Sequence, residues 1–223
     1  MDRIKKFFKS TAGMVLIVTI LVGIIVHATT GNFFTAYNIS TLTRAASFVI
    51  IVGFGQTIVL LTGGIDLSVA TIGSVCGMAG AIFMVNYGIN PYFAIVIASL
   101  LGIVLGAVNG FFIAYFKMTP FIVTLATMQI YKGIVYVITK GMPITGMPES
   151  AEKLANGVIG GVLPNIVIIM VIICVILTVI LKRTKFGRYV YALGGNRSCA
   201  KIVGIPTERI EMMVYCLSGL LSA

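Results

Sequence analysis

The sequence predicts an all-α fold, a polytopic bundle of membrane helices with about six complete spans and the start of a seventh. Of 223 residues, 59% are hydrophobic and 10% are charged, whereas soluble domains carry about 25% charged residues. The apolar residues also occur in stretches of about 18 or more, long enough for a helix to cross a bilayer. These stretches lack the polar–apolar alternation of membrane barrel strands, so they indicate helices.

The predicted spans are joined by short connections rich in turn-forming residues. Pro91 and Pro120 stand at the starts of the fourth and fifth spans, where proline fits the first helical turn. In the longer connection Thr139–Gly161, a polar run from Pro148 predicts a short amphipathic helix on the outer surface. The chain stops within an apolar run, and we expect it to be the amino-terminal portion of a longer protein. The spans are Thr11–Ala28, Arg44–Leu61, Leu67–Val85, Pro91–Tyr115, Pro120–Ile138 and Val162–Leu181, with a seventh opening at Ile210.

The basic residues lie mostly on one side of the predicted membrane. With a cytoplasmic amino terminus, the distribution follows the positive-inside rule, so the net charge of +10 indicates orientation in a cell membrane and no nucleic-acid binding. We then predict that the first span is an uncleaved signal anchor, although Val26-His27-Ala28 resembles a cleavage site. The inner basic residues are Arg3, Lys5, Lys6, Lys9, Lys117, Lys182, Arg183, Lys185, Arg188, Arg197, Lys201 and Arg209, and the outer ones are Arg44, Lys140 and Lys153.

Small residues recur at helical spacing in two spans. Gly102, Gly106 and Gly110 lie in the fourth span, and Gly73 and Gly77 in the third. Such ridges let helices approach closely in a membrane. They predict tight packing, with a hinge or pore lining as the alternative.

The sequence offers little enzymatic chemistry. It has no phosphate-binding loop and no HExxH motif, His27 is its single histidine, and the four cysteines lack the spacing of a metal site. We therefore predict no enzyme activity, metal or cofactor. Transport would draw its energy from another subunit or an ion gradient, and an intramembrane enzyme would need catalytic residues that we do not find.

The segment Leu60–Val69 places a double glycine and Asp66 between two apolar stretches. Because an ionised side chain near hydrocarbon costs roughly 2.5–3.5 kcal/mol on insertion scales, it needs a local reason. In one interpretation Asp66 caps the third helix, accepting hydrogen bonds from the amides of Ser68 or Val69. In the other, compatible with it, the segment lines a transport path or contacts a cytoplasmic partner.

Uncharged polar side chains follow one face of the fifth span. Such donors and acceptors suit a neutral polyhydroxylated solute better than an ion, although membrane hydroxyls often bond only to their own backbone. Lys132, in the same span, is long enough to reach the outer interface. The candidate pathway residues are Gln56, Asp66, Ser74, Asn109, Thr124, Thr127 and Tyr131.

The basic segment 182–209 is predicted to be a cytoplasmic loop. Within it, Asn196 can cap a helix over Arg197–Val203, which Gly204 ends. A short helix presented to the cytoplasm indicates a docking element, and the alternative is a basic loop that only contacts anionic lipid. The candidate docking residues are Gly194, Gly195, Asn196, Cys199, Ala200 and Gly204.

Four segments resemble the permease subunits of ribose-type ABC sugar importers: Gly63–Ser68, Asn109–Gly110, Pro120–Gly133 and Gly187–Ile205. The resemblance implies one transmembrane permease domain over 1–223, with 182–209 as its ATPase-coupling loop. It also implies import of a monosaccharide of the ribose, galactose or xylose class. Lys132 stands where that family often has arginine, and Cys199 where it usually has alanine.

The same resemblance implies the partners. They are a cytoplasmic ABC ATPase that binds the ATP, an extracytoplasmic sugar-binding protein, a second permease copy or homologue, and membrane lipid. Further spans after Ala223 are implied as well. The rival hypothesis is a stand-alone secondary carrier or channel for a small neutral solute.

Overall fold

The computed structural model describes residues 10–159 and 163–223, which are almost entirely helical. The predicted basic cluster Arg3–Lys9 and the predicted start of the sixth span at Val162 lie outside the described residues. A short antiparallel hairpin of two strands, β1 (Val158–Ile159) and β2 (Leu163–Pro164), precedes the last long apolar helix. The helices are α1 Thr11–Thr30, α2 Ala36–Leu61, α3 Val69–Val85, α4 Pro91–Ala114, α5 Pro120–Thr139, α6 Glu149–Asn156, α7 Asn165–Arg183, α8 Lys185–Gly195, α9 Arg197–Ile202 and α10 Thr207–Ser222.

The all-α membrane bundle and the short helix after Pro148, α6, are confirmed, whereas the place of α6 on the outer surface stays a prediction. Within the described ranges, five helices are long and apolar enough to cross a membrane, namely α1, α2, α4, α5 and α7. The predicted third span, α3, is apolar but has 17 residues, because it begins at Val69 after an unwound segment. α2 begins at Ala36, earlier than predicted, since the Thr35 side chain accepts a hydrogen bond from the amide of Asn38.

Contacts between helices define the two ends of the bundle. Gly194 in α8 packs on the carbonyl of Leu61 at the end of α2, so α8, α9 and this end of α2 lie together at what we call the α9 end. Arg44, near the start of α2, donates to the Oδ1 atom (2.7 Å) and the carbonyl (3.1 Å) of Asn156 in α6. The α6 end is therefore opposite, and which end faces the cytoplasm stays a prediction.

The centre of the bundle is the antiparallel contact between α4 and α10. A methyl group added at Gly106 would overlap the carbonyl oxygen of Tyr215, and one at Gly102 would lie 2.5 Å from that of Gly219. At Gly110 it would lie 3.0 Å from the Met212 backbone. The glycine ridge of α4 therefore lets two backbones touch, which confirms its predicted packing role.

The shorter ridge of α3 divides between two environments. A methyl group at Gly73 would lie 2.8 Å from the carbonyl oxygen of Ser222 in α10, whereas one at Gly77 would find no atom within 4 Å. One face of α3 is thus packed, and another borders open space.

Candidate functional site

The unwound segment 62–68 folds back into the bundle between α2 and α3. Gly63 has a φ of +80°, a conformation that favours glycine, and its amide donates to the carbonyl of Leu60 (3.0 Å). At Gly64 a side chain would collide with the hydroxyl of Tyr215, 2.6 Å from the position of an added Cβ. Each glycine of the pair therefore has its own structural reason, and together they bring Asp66 into the interior.

Asp66 is 2% exposed, and both oxygens of its carboxylate accept hydrogen bonds. The amide and hydroxyl of Ser68 donate to Oδ1 at 2.9 and 2.6 Å. The hydroxyl of Ser218, in α10, donates to Oδ2 at 3.0 Å. The predicted contact with the Ser68 amide is confirmed, but the predicted capping role is wrong, because Ser68 and not Asp66 occupies the N-cap position of α3. Both oxygens of the buried carboxylate have partners, as buried polar groups usually do.

The same chain of hydrogen bonds continues into α4 and α5. The Nδ2 group of Asn109 donates to the Ser68 hydroxyl (2.7 Å), and the Oδ1 atom of Asn109 accepts from the Thr127 hydroxyl (2.7 Å). We call Asp66, Ser68, Asn109, Thr127 and Ser218 the Asp66 network. It is buried throughout and ties the unwound segment to α4, α5 and α10.

Two more candidate pathway residues lie beside this network and are also hydrogen-bonded. Thr124 donates to the carbonyl of Pro120 (2.8 Å) and, at 3.4 Å, to that of Ile65. Tyr131 donates to the carbonyl of Leu105 (3.0 Å). The structure thus brings Asp66, Asn109, Thr124 and Thr127 together, and their role in a pathway stays a prediction.

Gln56, in α2, does not join this group. Its buried Oε1 atom has no hydrogen-bond partner among the described residues. The hydroxyl of Tyr215, buried beside Gly64, also lacks one within the described ranges.

A second region is an open cavity of about 940 Å³ between α3, α5 and the loop that follows α5, with a mostly apolar lining that includes several polar side chains. Of the candidate pathway residues, Ser74 lines it. Lys132 lines it too, although it is not among the candidate pathway residues, since nothing in the sequence shows which face of α5 borders the cavity. The lining residues are Thr71, Ser74, Gly77, Met78, Ala81, Gln129, Lys132, Gly133, Val135, Tyr136, Thr139, Gly141, Met142, Pro143 and Ile144.

The third candidate region is α9, which forms where the sequence predicted it. The Oδ1 atom of Asn196 accepts a hydrogen bond from the amide of Cys199 (3.0 Å), and Gly204 follows the helix with a φ of +80°. The helix ends at Ile202, one residue before the predicted end. The predicted cap, helix and glycine stop are confirmed.

Ion pairs hold α9 against the start of α10. The guanidinium of Arg197 donates to both carboxylate oxygens of Glu211 at 3.0 and 2.6 Å, and Glu211 is 7% exposed. Lys201 pairs with Glu208 at 3.5 Å near the surface. A backbone hydrogen bond and the Thr207 hydroxyl lower the pKa of Glu208, so this weak pair persists until the pH falls below the usual carboxylate range.

The candidate docking residues face in different directions. Ala200 is buried and Gly194 packs on α2, whereas Gly195, Asn196, Cys199 and Gly204 are exposed. The most exposed apolar pair is Ile202 and Val203, at 84% and 73%. This pair is not among the docking residues predicted from the sequence, although two apolar residues before a terminating glycine in a basic segment are a usable signal.

Comparison with known proteins gives consistent matches. A family profile described as "Branched-chain amino acid transport system / permease component" matches residues 38–223. The ribose import permease of Bacillus subtilis is 42% identical over 90% of this chain and 62% of its own length. That of Escherichia coli K12 is 37% identical, over 93% and 65%.

More distant matches import other sugars. The fructose import permease of Rhizobium meliloti is 31% identical over 100% of this chain and 64% of its own length. The chain therefore spans less than two thirds of the length of these relatives. No solved structure matches it.

Proposed function

We propose, from the premise that this chain belongs to the family of branched-chain amino acid transport system permease components, that it acts as a permease subunit of an ABC importer. In this proposal it is a multi-pass inner-membrane protein with a cytoplasmic amino terminus. It carries a monosaccharide into the cytoplasm and is not itself an enzyme. The observation that carries the proposal is α9, a rigidly held helix with an uncovered apolar tip.

The relatives and the polar side chains support this substrate class. The family description names branched-chain amino acids, but the matched relatives import ribose, fructose and allose. Asp66, a buried carboxylate that could bind an amino group, already has both oxygens occupied. The remaining polar groups are mostly hydroxyls and amides, which suit sugar hydroxyls.

The energy would come from a separate ATPase that binds the α9 end. Ile202 and Val203 supply an apolar contact, and the basic side chains around them supply charge. The Arg197–Glu211 pair would transmit the ATPase's motion, since it fixes α9 to α10. The other partners are an extracytoplasmic sugar-binding protein, a second permease copy or homologue, and lipid.

The test is co-purification of the ATPase with a Val203→Glu variant. We expect the ATPase recovered with this variant to fall about tenfold or more, because a charge in an apolar contact leaves an unpaired ion to desolvate. Membrane insertion should not change, since Val203 is exposed. Met118→Glu is the matched control, an exposed apolar residue in the α4–α5 connection.

Undiminished association of the ATPase with Val203→Glu would contradict docking at α9. Val203 is a better target than Ala200, because Ala200 is buried and its replacement would disturb the helix itself.

The rival is a carrier that works alone, favoured by one observation, the ionisable Lys132 in the cavity. Sugar uptake by the reconstituted chain without an ATPase, driven by a proton or sodium gradient, would establish the rival instead.

A further inference from the structure

The cavity between α3 and α5 contains polar groups without partners. Neither the ammonium group of Lys132 nor the amide group of Gln129 makes a hydrogen bond with any residue in the described ranges, and both side chains are exposed to the cavity. Ser74 donates its proton to the carbonyl of Ala70 (2.9 Å), so its oxygen remains able to accept. The cavity thus presents donors and an acceptor that the protein itself does not use.

The position of Lys132 far inside α5 is informative, because its charged group has no hydrogen-bond partner in the described ranges. It lies about two helical turns, or ~10 Å, before the last residue of α5. Ionisable groups at such depth in membrane helices usually face a water-filled cavity or the bundle interior. This cavity is therefore better explained as hydrated than as a groove filled by lipid tails.

The cavity also has a direction. It extends from Thr71, one turn beyond Ser68 of the Asp66 network, to the 141–144 loop at the end opposite α9. Under the proposed function that end faces outwards, where a binding protein would release the solute. The inner end of the cavity, at Thr71, therefore lies next to the Asp66 network, whose hydrogen bonds connect the unwound segment to α4, α5 and α10.

Resting on the proposed function, we propose that this cavity is the outward-facing binding site for the transported monosaccharide. Lys132 and Gln129 hydrogen-bond its hydroxyl groups, Ser74 accepts from one, and the ring of Tyr136 packs on its apolar face. A volume of about 940 Å³ lies within the usual range of ligand sites, roughly 300–1,000 Å³, and leaves room for water around one sugar. The amide and hydroxyl groups suit the hydroxyls of a neutral polyol, and the ammonium group of Lys132 can donate to such a hydroxyl as well.

The direct test is chemical labelling of Ser74→Cys in membranes with a maleimide that does not cross them. The probes are D-ribose, D-fructose and D-allose. We expect the new thiol to react, and one of these sugars at high concentration to slow the reaction about tenfold. Gly133→Cys is a second labelling site with open space around it. Tyr87→Cys, 72% exposed in the α3–α4 connection at the same end and outside the cavity, is the control that no sugar should protect.

A second measurement tests Lys132. In the complete transporter, Lys132→Met should raise the sugar concentration needed for half-maximal uptake, and should weaken protection of Ser74→Cys, by about tenfold. This is the loss expected when a hydrogen bond from a charged group is removed. Lys140→Met is the control, because Lys140 is an exposed lysine at the same end that does not line the cavity.

Failure of this inference can be told from failure of the proposed function. Absence of ATP-dependent sugar uptake by the wild type would overturn the proposed function, whereas thiol protection needs no ATPase. Normal uptake with unreactive or unprotected thiols at both positions would overturn the cavity assignment alone. Protection that Lys132→Met leaves unchanged would overturn the role of Lys132.

Discussion

The Asp66 network and the α3–α5 cavity meet where α3 begins, yet their polar side chains are in opposite situations. Ser68 belongs to the network, and Thr71, whose hydroxyl donates to the Ser68 carbonyl (2.8 Å), lines the cavity. Every member of the network is buried with a partner, whereas Lys132 and Gln129 in the cavity have none within the described ranges. Residue type therefore does not separate the buried polar groups of the network from the uncovered ones of the cavity, but hydrogen-bond satisfaction does.

This difference has an energetic consequence. Removing one partner inside the network leaves the others with neither a hydrogen-bond partner nor water. Each group left unpaired lowers the free energy of unfolding by about 1–3 kcal/mol. Removing Lys132 or Gln129 from the cavity leaves no other group unpaired, because neither side chain has a hydrogen-bond partner within the described ranges. Matched substitutions in the two regions should therefore differ in their effect on stability.

The largest expected difference is between glycines. Gly106→Ala should lower the free energy of unfolding by about 3 kcal/mol or more, because its methyl group would overlap the backbone of Tyr215, which cannot rotate away. Gly133→Ala should leave stability unchanged or raise it by up to about 1 kcal/mol, since no atom lies within 4 Å and alanine favours helix. Thermal unfolding of both variants in detergent measures the difference, and equal behaviour would contradict the tight α4–α10 contact.

A smaller difference is expected between the two ionisable residues. Asp66→Ala should cost roughly 2–4 kcal/mol of unfolding free energy, because Ser68 and Ser218 lose their acceptor. Lys132→Met should change it by less than about 0.5 kcal/mol. Thermal unfolding again measures both, with Asp66→Asn as the control that keeps one acceptor and should fall between wild type and Asp66→Ala.

The smallest difference is between two serines. Ser218→Ala should cost about 1–2 kcal/mol, since it leaves the Oδ2 atom of Asp66 unpaired. Ser74→Ala should be nearly neutral, because the lost bond goes only to the backbone of its own helix. A double variant, Asp66→Ala with Ser218→Ala, should be less destabilised than the sum of its parts, and additive losses would show that the two residues do not interact.

The features that local sequence determines could be predicted. The spans follow from apolar length, and α9 from Asn196 and Gly204, whose capping and turn chemistry act within a few residues. The start of α2 was placed too late, because its first turns are polar and are held by the Thr35 cap rather than by hydropathy.

The features that tertiary contacts create could not be predicted. Ser218 is separated from Asp66 by 152 positions, and no local pattern links the two. The spacing of Gly102, Gly106 and Gly110 indicates a close neighbour but does not identify it as α10. Likewise, the charge of Lys132 is visible in the sequence, whereas the space beside it depends on how α3 and α5 diverge.

The contact of α4 with α10 restricts the ways in which such a bundle can change shape. Two backbones in direct contact cannot slide a turn past each other without separating, so these helices have to travel as one rigid unit. Arg197 and Glu211 attach α9 to that unit, and Ser218 attaches the turn at Asp66. A force on α9 would then tilt α4, α9 and α10 together. The space between α3 and α5 would widen or narrow beside Gly77 and Gly133, where an added Cβ would find no atom within 4 Å.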